Sequence, residues 1–291
     1  MKQIKHIITL DETGKEIKEL LINTLHLSSR LITALKKTEN GILLNSEHAT
    51  VRKNVVSGDI LCINLPEEKS ENIPPVNIPL DIIFEDEDIL VVNKSSNLPT
   101  HPSLGHFEDT LANGVMYYYK DQNFVFRAVN RLDRDTTGLV LIAKNQYAAN
   151  NLSMQIRENK IKKTYLAICE GEFQKKTGTI IAPIKRDSEV GLKRVVDENG
   201  QYAETDYIVL AYKDGYSLVK ILPKTGRTHQ IRVHMSHIGH PLYSDFLYGI
   251  ELENERVRLH CESLEFSHPT SKEKCTFKAP LPADFFISPE L

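Results

Sequence analysis

The stretch NRLDRDTTGLVLIAK, Asn130 to Lys144, constrains the fold more than any other fifteen residues of the chain. It sets the carboxylate of Asp133 between the guanidiniums of Arg131 and Arg134, turns through Thr-Thr-Gly, and runs apolar from Leu139 to Ala143. A turn feeding straight into an apolar run predicts a strand with a charged loop at its mouth. Loops braced by a rigid element are where reactive side chains tend to sit. A carboxylate ringed by guanidiniums is how an ionised, reactive acid is built, because nearby cations favour the charged form. The same surround suits a polyanionic substrate. Asp135 carries the same charge two residues on and is read as a bystander.

The rest of the chain divides around this point. Its 291 residues allow one large domain or two unequal ones. Ile17, Leu20, Leu21 and Leu25 recur at helical spacing, and Ser28 or Ser29 can cap a second helix with the apolar face Leu31, Ile32 and Leu35. Gly41 breaks that helix, and strand signals follow at Ile42–Leu44 and from Ile60 to Leu65. Residues 1–66 therefore read as a small helix–helix–hairpin module, with Arg30, Lys36 and Lys37 on a candidate binding face. Residues 67–80 hold three of the four prolines of PEEKSENIPPVNIPL and read as an extended linker. The second domain, 81–291, opens with strand signals at Asp81–Phe84 and Ile89–Val92. A helix is predicted from Asp109 to Tyr119 and another from Ala148 to Glu158. Strands follow over Lys163–Glu170, Thr179–Ile184, Thr205–Tyr212 and Tyr216–Leu222, and then a helix over Arg227–Ile238. Paired strands with separated helices predict an α+β domain around a largely antiparallel, mixed central sheet with flanking helices.

Net charge is −3, yet it is segregated: residues 65–92 carry a net −7 and residues 151–240 a net +5. A local basic stripe matters more for phosphate binding than the global sum. No apolar run approaches the roughly 20 residues of a membrane span. The N-terminus lacks the apolar core of a signal peptide. Cys62, Cys169, Cys261 and Cys275 are scattered, as in a reduced, cytoplasmic protein.

Two further segments carry chemistry. PKTGRTHQIRVHMSHIGHPLYSDFLYG, Pro223 to Gly249, groups Lys224, Arg227 and Arg232 with His229, His234, His237 and His240. No Glu occupies the general-base position of a zinc-protease helix, so no metal is expected there. The better reading is a phosphate-binding helix start, with Gly226 for a tight turn and two arginines able to fork onto carboxylate or phosphate. KKTYLAICEG, Lys162 to Gly171, places Tyr165 in a strand with Lys163 upstream; a core tyrosine is the plainer account. Neither a dinucleotide fingerprint nor a phosphate-binding loop is present, and no serine elbow or Cys–His pair stands out. A reaction here would be run by a carboxylate without a redox cofactor.

Taken in order, NRLDRDTTGL, Lys163–Gly171 and TGRTHQIRVH (Thr225–His234) resemble the RluA family of pseudouridine synthases. DIIFEDEDILVVNKSSNLPTHP, GHPLYSDFLYG, RLHCESLEFSHP and FKAPLP extend the likeness over nearly the whole chain. The N-terminal module resembles the αL RNA-binding domain of ribosomal protein S-four. Two positions depart from the pattern: Asn130 stands where the family usually has His, and Ser95 where it has Pro after Lys94.

The resemblance implies a pseudouridine synthase fold and an isomerisation of uridine in RNA. The carboxylate at Asp133 attacks the ribosyl–uracil unit, the glycosidic bond breaks, and the uracil turns and reattaches through carbon. It implies Arg232 as the partner of Asp133 and Tyr165 against the uracil ring. It also puts Arg131 where a residue helps to hold the flipped nucleotide, whose extrusion costs a few kcal/mol. Asn130, Arg134, Lys163, Arg227 and His229 are the expected RNA contacts around them. No cofactor is required. Large-subunit ribosomal RNA is the expected substrate and transfer RNA the runner-up, with a monomer as the acting form. The rival from another class is a non-catalytic RNA-binding or ribosome-assembly protein on the same scaffold.

Overall fold

The structure, a computed structural model, describes residues 2–70, 72–188 and 191–285. The N-terminal unit is built from β1 (Gln3–Ile7), α1 (Ile17–Glu19), α2 (Ser29–Leu35), β2 (Ile42–Leu44), β3 (Glu47–His48) and β4 (Ile60–Asn64). Its antiparallel sheet has the order β1-β4-β2-β3. The helical run of Ile17 to Leu25 is not one regular helix, since α1 widens into a π-turn over Leu20–Thr24. Its periodic apolar residues are nonetheless buried, with Leu31, Ile32 and Leu35 of α2, in one core. The Ser28 hydroxyl accepts from the Leu31 amide at 3.2 Å and so caps α2. Strand β1 gives little sequence signal because only Ile4 of its five residues is buried.

The segment expected as an extended linker, residues 67–70 and 72–80, lies on the larger domain as a strap. Ile73 is buried in that domain's core, Glu68 pairs with Arg127, and Asn113 donates to the Pro74 carbonyl at 2.9 Å. The prolines make the segment extended, and these contacts hold it down. The N-terminal unit is docked as well. Tyr147, from the larger domain, packs into its core, and Lys2 pairs with Asp88 at 2.5 Å.

The larger domain runs β5 (Asp81–Glu85), β6 (Ile89–Lys94), α3 (Leu111–Tyr118), β7 (Thr137–Ala143), α4 (Gln146–Arg157) and β8 (Lys162–Glu170). It continues with β9 (Thr177–Ile181), β10 (Ile184–Arg186), β11 (Arg194–Val196), β12 (Glu204–Lys213) and β13 (Tyr216–Pro223). It closes with α5 (Gln230–His237), β14 (Leu259–Ser267) and β15 (Lys274–Lys278). Among the described residues these form one sheet of order β5-β6-β7-β14-β8-β13-β12-β9, with β15 beside β14 and β10–β11 as a separate hairpin. The strand expected over Thr179–Ile184 is therefore two, divided at Ala182-Pro183. The pairing is antiparallel except between β7 and β14. That makes the domain α+β with a mixed sheet.

Most of the acidic run at 85–88 is engaged within this fold: Glu85 pairs with Lys144 at 2.6 Å, Asp88 with Lys2 at 2.5 Å, and Asp86 shares a hydrogen bond with His268 at 2.9 Å. The charge segregation on that side is structural. On the basic side it is concentrated around the cleft described next.

One close approach positions everything that follows. Strand β7 is buried along its whole length, which is why its sequence is uninterruptedly apolar from Leu139 to Ala143. Gly138 of β7 lies beside Cys261 of β14, and Cys261 lies beside Tyr165 of β8. At Gly138 φ is +107°, and an added Cβ would stand 2.3 Å from the Cys261 carbonyl oxygen. Only glycine allows the two strands so close. Tyr165 is thereby set two strands from the turn that precedes β7.

Candidate active site

The loop before β7 is braced from behind. The Leu132 amide donates to the Thr100 hydroxyl at 3.1 Å, and that hydroxyl donates to the Leu132 carbonyl at 2.8 Å. Lys94, only 1% exposed, donates to the carbonyls of Ser95, Leu98 and Arg134 at 2.8, 2.8 and 3.0 Å. Burial pushes its ammonium down to about 7, against the pull of Asp135 and Asp133. The Thr136 amide closes the turn on the Asp133 carbonyl at 3.2 Å. The result presents the Asp133 carboxylate half-buried at the mouth of the strand.

The two arginines flanking Asp133 in sequence are not its partners. Arg134 turns away onto Asp135, with Nε 3.2 Å from Oδ1, and Arg131 is exposed on the cleft wall. The nitrogens beside Asp133 come from α5 and its start: the Arg232 guanidinium, with Nη1 3.6 Å from Oδ2, and the His229 imidazole, with Nε2 4.0 Å from it. Neighbours in an extended turn point apart, so the local reading of three charges in a row fails there.

Arg232 is itself fixed by a residue the sequence reading did not single out. Asp245, fully buried, takes Nε at 2.7 Å and Nη2 at 2.6 Å, a side-on fork that leaves Nη1 facing Asp133. Burial works against the guanidinium's charge, but the hydrogen bonds and charge of Asp245 outweigh it and hold Arg232 above its ordinary range. The rings of Phe246 and Tyr248 flank it, with centroids 5.3 and 5.1 Å from Cζ. The only prior signal for Asp245 was its place as the lone acid of GHPLYSDFLYG.

The expected phosphate-binding helix start is also altered. Helix α5 begins at Gln230, and the turn into it is made by His229 in the left-handed region (φ 56°), not by Gly226. The Arg227 amide is already taken by the Gln230 side chain at 2.9 Å. The histidines disperse. His229 shares a hydrogen bond with the Tyr248 hydroxyl at 2.9 Å, and burial lowers its pKa while Asp133 opposes the shift. His234 is buried between the Thr205 hydroxyl and the Ala182 carbonyl, and His240 stacks on Phe173 at 3.7 Å. Among the described residues no three His, Cys, Asp or Glu side chains converge as a metal site would require.

Tyr165 forms the floor. It is 7% exposed, and burial, with Cys261 and the nearby Asp133 charge, raises its pKa well above the ordinary value. The phenol is therefore neutral in the resting site. Lys163, two residues earlier on β8, lines the same cleft with its pKa lowered by burial. Asn130 spends its amide on β7, donating to the Leu139 carbonyl at 3.0 Å and accepting from the Leu141 amide at 2.8 Å.

A cleft of about 810 Å³ collects Asn130, Arg131, Asp133, Lys163, Tyr165, Arg227, His229 and Arg232. Arg134 is not part of its lining, and Arg30, Lys36 and Lys37 lie on the N-terminal unit, exposed around α2. A half-exposed carboxylate, an aromatic floor and a basic rim define a carboxylate-centred site for a flat ring carried on a polyanion.

Comparison with known proteins gives that class its family. Residues 88–237 match the RNA pseudouridylate synthase family. A Bacillus subtilis (strain 168) protein, "Uncharacterized RNA pseudouridine synthase YjbO", is 40% identical over 89% of this chain and 93% of its own length. The Ribosomal large subunit pseudouridine synthase D of Blochmanniella floridana is 36% identical over 96% and 94%. Among solved structures, Human RNA Pseudouridylate Synthase Domain Containing 1 superposes with a TM-score of 0.61 at 32% identity, covering 71% of this chain and 85% of the human one. The chain belongs to the RNA pseudouridine synthase family: it is an isomerase that converts uridine to pseudouridine in RNA.

Proposed function

We propose that this enzyme modifies large-subunit ribosomal RNA, with Asp133 as its nucleophile. The substrate reading is supported by relatives named as ribosomal large subunit synthases, at 36% identity over most of the chain. The observation that carries the catalytic reading is the Asp133–Arg232–Asp245 line. A locked guanidinium faces the carboxylate at 3.6 Å without forking onto it. Arg232 thus sets a fixed positive charge beside the acid and leaves its oxygens free to attack.

Asp133 attacks the ribosyl–uracil unit of the extruded nucleotide, and the C1′–N1 bond breaks. The freed uracil turns on the Tyr165 ring, and its C5 bonds to C1′ as the bond from Asp133 to the ribosyl unit is released. The C5 proton is lost and N1 regains one, so the reaction is balanced without a co-substrate. Tyr165, neutral at the outset, is a stacking surface and hydrogen-bond donor, and it must pass its own proton on before it can accept another. Arg131, Lys163, Arg227 and His229 hold the nucleotide and its phosphates. Asn130 acts through β7.

The N-terminal unit, residues 1–66, serves as the αL RNA-binding module, and Arg30, Lys36 and Lys37 contact phosphates. The enzyme acts as a monomer in the cytoplasm; among the described residues no helix is long and apolar enough to cross a membrane.

Asp133→Asn tests the chemistry: RNA binding should persist while pseudouridine formation disappears, and retained activity removes Asp133 from the role. Mapping pseudouridines in ribosomal and transfer RNA from a deletion strain tests the substrate. Neutralising Arg30, Lys36 and Lys37 together should flatten the salt dependence of binding by roughly 2–3 in log–log slope. An unchanged slope refutes the role of the module.

A further inference from the structure

A second basic cavity, of about 330 Å³, adjoins the first. Strands β10 and β11 wall it on one side and the Arg227–Thr228 loop on the other, and Lys185, Arg186, Arg194 and Arg227 line it. The cavity is firmly framed. Ile184 and Gln201 exchange two backbone hydrogen bonds, of 2.9 and 2.8 Å, at the base of the hairpin. Gly200 packs so closely on Ile184 that a Cβ would come 2.6 Å from its carbonyl carbon.

The guanidiniums are aimed by main-chain carbonyls: Arg186 Nε on Gly191 at 2.7 Å, Arg194 Nη1 on Lys193 at 3.0 Å, and Arg227 Nε on Tyr202 at 2.9 Å. A carbonyl orients a guanidinium without cancelling its charge, which prepares it for an anion. Lys185, by contrast, is paired with Asp197 at 2.6 Å.

Two links tie this cavity to the cleft. Arg227 and Thr228 line both. The Arg194 amide donates to the Tyr248 hydroxyl at 2.9 Å, and that hydroxyl shares a hydrogen bond with His229, the residue beside Asp133. The volume is at the lower end of small-ligand sites and suits one phosphate-bearing nucleotide, not a duplex.

We infer that this cavity is a phosphate subsite for the RNA strand adjoining the uridine held in the cleft. The inference rests on the reading of the cleft as an RNA pseudouridine synthase site. Arg186 and Arg194 are its specific ligands, and Arg227 is shared between the flanking phosphate and the target nucleotide.

The test uses the full-length protein, Arg186→Gln and Arg194→Gln. The probe is a fluorescein-labelled single-stranded RNA of about 12 nucleotides with a central uridine, a length within the span such sites cover. Each variant should bind about tenfold more weakly, the worth of one charge-assisted hydrogen bond. The log–log slope of affinity against KCl should flatten by roughly 0.7 per lost phosphate contact. On transcribed large-subunit ribosomal RNA, KM should rise while kcat is retained. Wild-type affinity and slope in both variants overturn the subsite. So does weaker binding with an unchanged slope and a lowered melting temperature, which marks a structural effect, and so does failure of the wild type to bind the probe. If the wild type binds with the expected slopes yet forms no pseudouridine in ribosomal RNA, the substrate reading fails and the subsite stands.

Discussion

Asp245→Asn is the perturbation that most directly probes the site. Asp245 is wholly buried and takes two guanidinium N–H groups at 2.7 and 2.6 Å, and its Oδ1 also accepts from the amides of Leu247 and Tyr248 at 3.1 and 3.2 Å. An amide in its place turns an NH2 group toward this ring of donors and leaves Arg232, 4% exposed, without its buried counter-charge. Breaking such a pair from one side costs about 3–5 kcal/mol. The remaining anion within reach is Asp133, now 3.6 Å away. At that distance the attraction is roughly 1 kcal/mol in water and about 5 at an effective dielectric of 20. Asp133, with its side chain 30% exposed, lies between these limits. A guanidinium released onto the nucleophile should hold its oxygens in the ground state. A loss of about 1.4 kcal/mol per factor of ten then gives a fall in kcat/KM of roughly ten- to a thousandfold. The chain has no Trp, so unfolding by urea is best followed by circular dichroism, alongside pseudouridine formation. The double variant Arg232→Met/Asp245→Leu should recover most of the stability and none of the activity, because a buried pair replaced by apolar groups leaves no orphan charge. An Asp245→Asn protein within about 1 kcal/mol of wild type and fully active would refute the argument, and so would an active double variant.

Lys94 gives a pH signature. Its folded value of about 7 lies below the ordinary 10.5, so between the two the unfolded chain binds more protons. Stability should therefore rise with pH across that window, by up to about 1.4 kcal/mol per unit, while the full cost of burying the charge is present below it. Lys94→Met removes this titration, so the stability difference, wild type minus variant, should widen from about pH 7 to pH 9 in urea unfolding; a flat difference refutes the buried ammonium. Gly138→Ala combines a φ of +107° with a Cβ 2.3 Å from the Cys261 carbonyl oxygen. The cost should exceed about 4 kcal/mol and leave little soluble protein. A soluble variant with an unchanged melting temperature would disprove the close β7–β14 contact.

The parts of the site that were legible in the sequence are those whose cause is local. Strand β7 announces itself because burial on both faces forces the apolar run from Leu139 to Ala143, and its opening Thr137-Gly138 follows directly on the turn that lifts Asp133. Tyr165 is legible as a strand residue, and its meeting with Asp133 follows only once β14 is inserted between β7 and β8. What stayed hidden depends on tertiary contacts. Lys94 ends a strand as any surface lysine might, and the carbonyls of Ser95 and Leu98 just after it, with that of Arg134 forty residues on, make it a buried brace. Asp245 lies 13 residues from Arg232, a spacing without a local signature. Along the linker, proline composition reports extension and says nothing of attachment, so the contacts of Glu68, Ile73 and Pro74 with the larger domain had no signal in the sequence. Asn130 is the instructive case. Read as a departure from a family histidine, it suggested altered RNA or backbone contacts. In the fold its amide donates to Leu139 and accepts from Leu141, serving β7 as the next strand's backbone would. An amide carries a donor and an acceptor at fixed spacing, so the side chain continues a ladder that the main chain of the loop has left. Its contacts are thus with the backbone of the strand that Asp133 leads into.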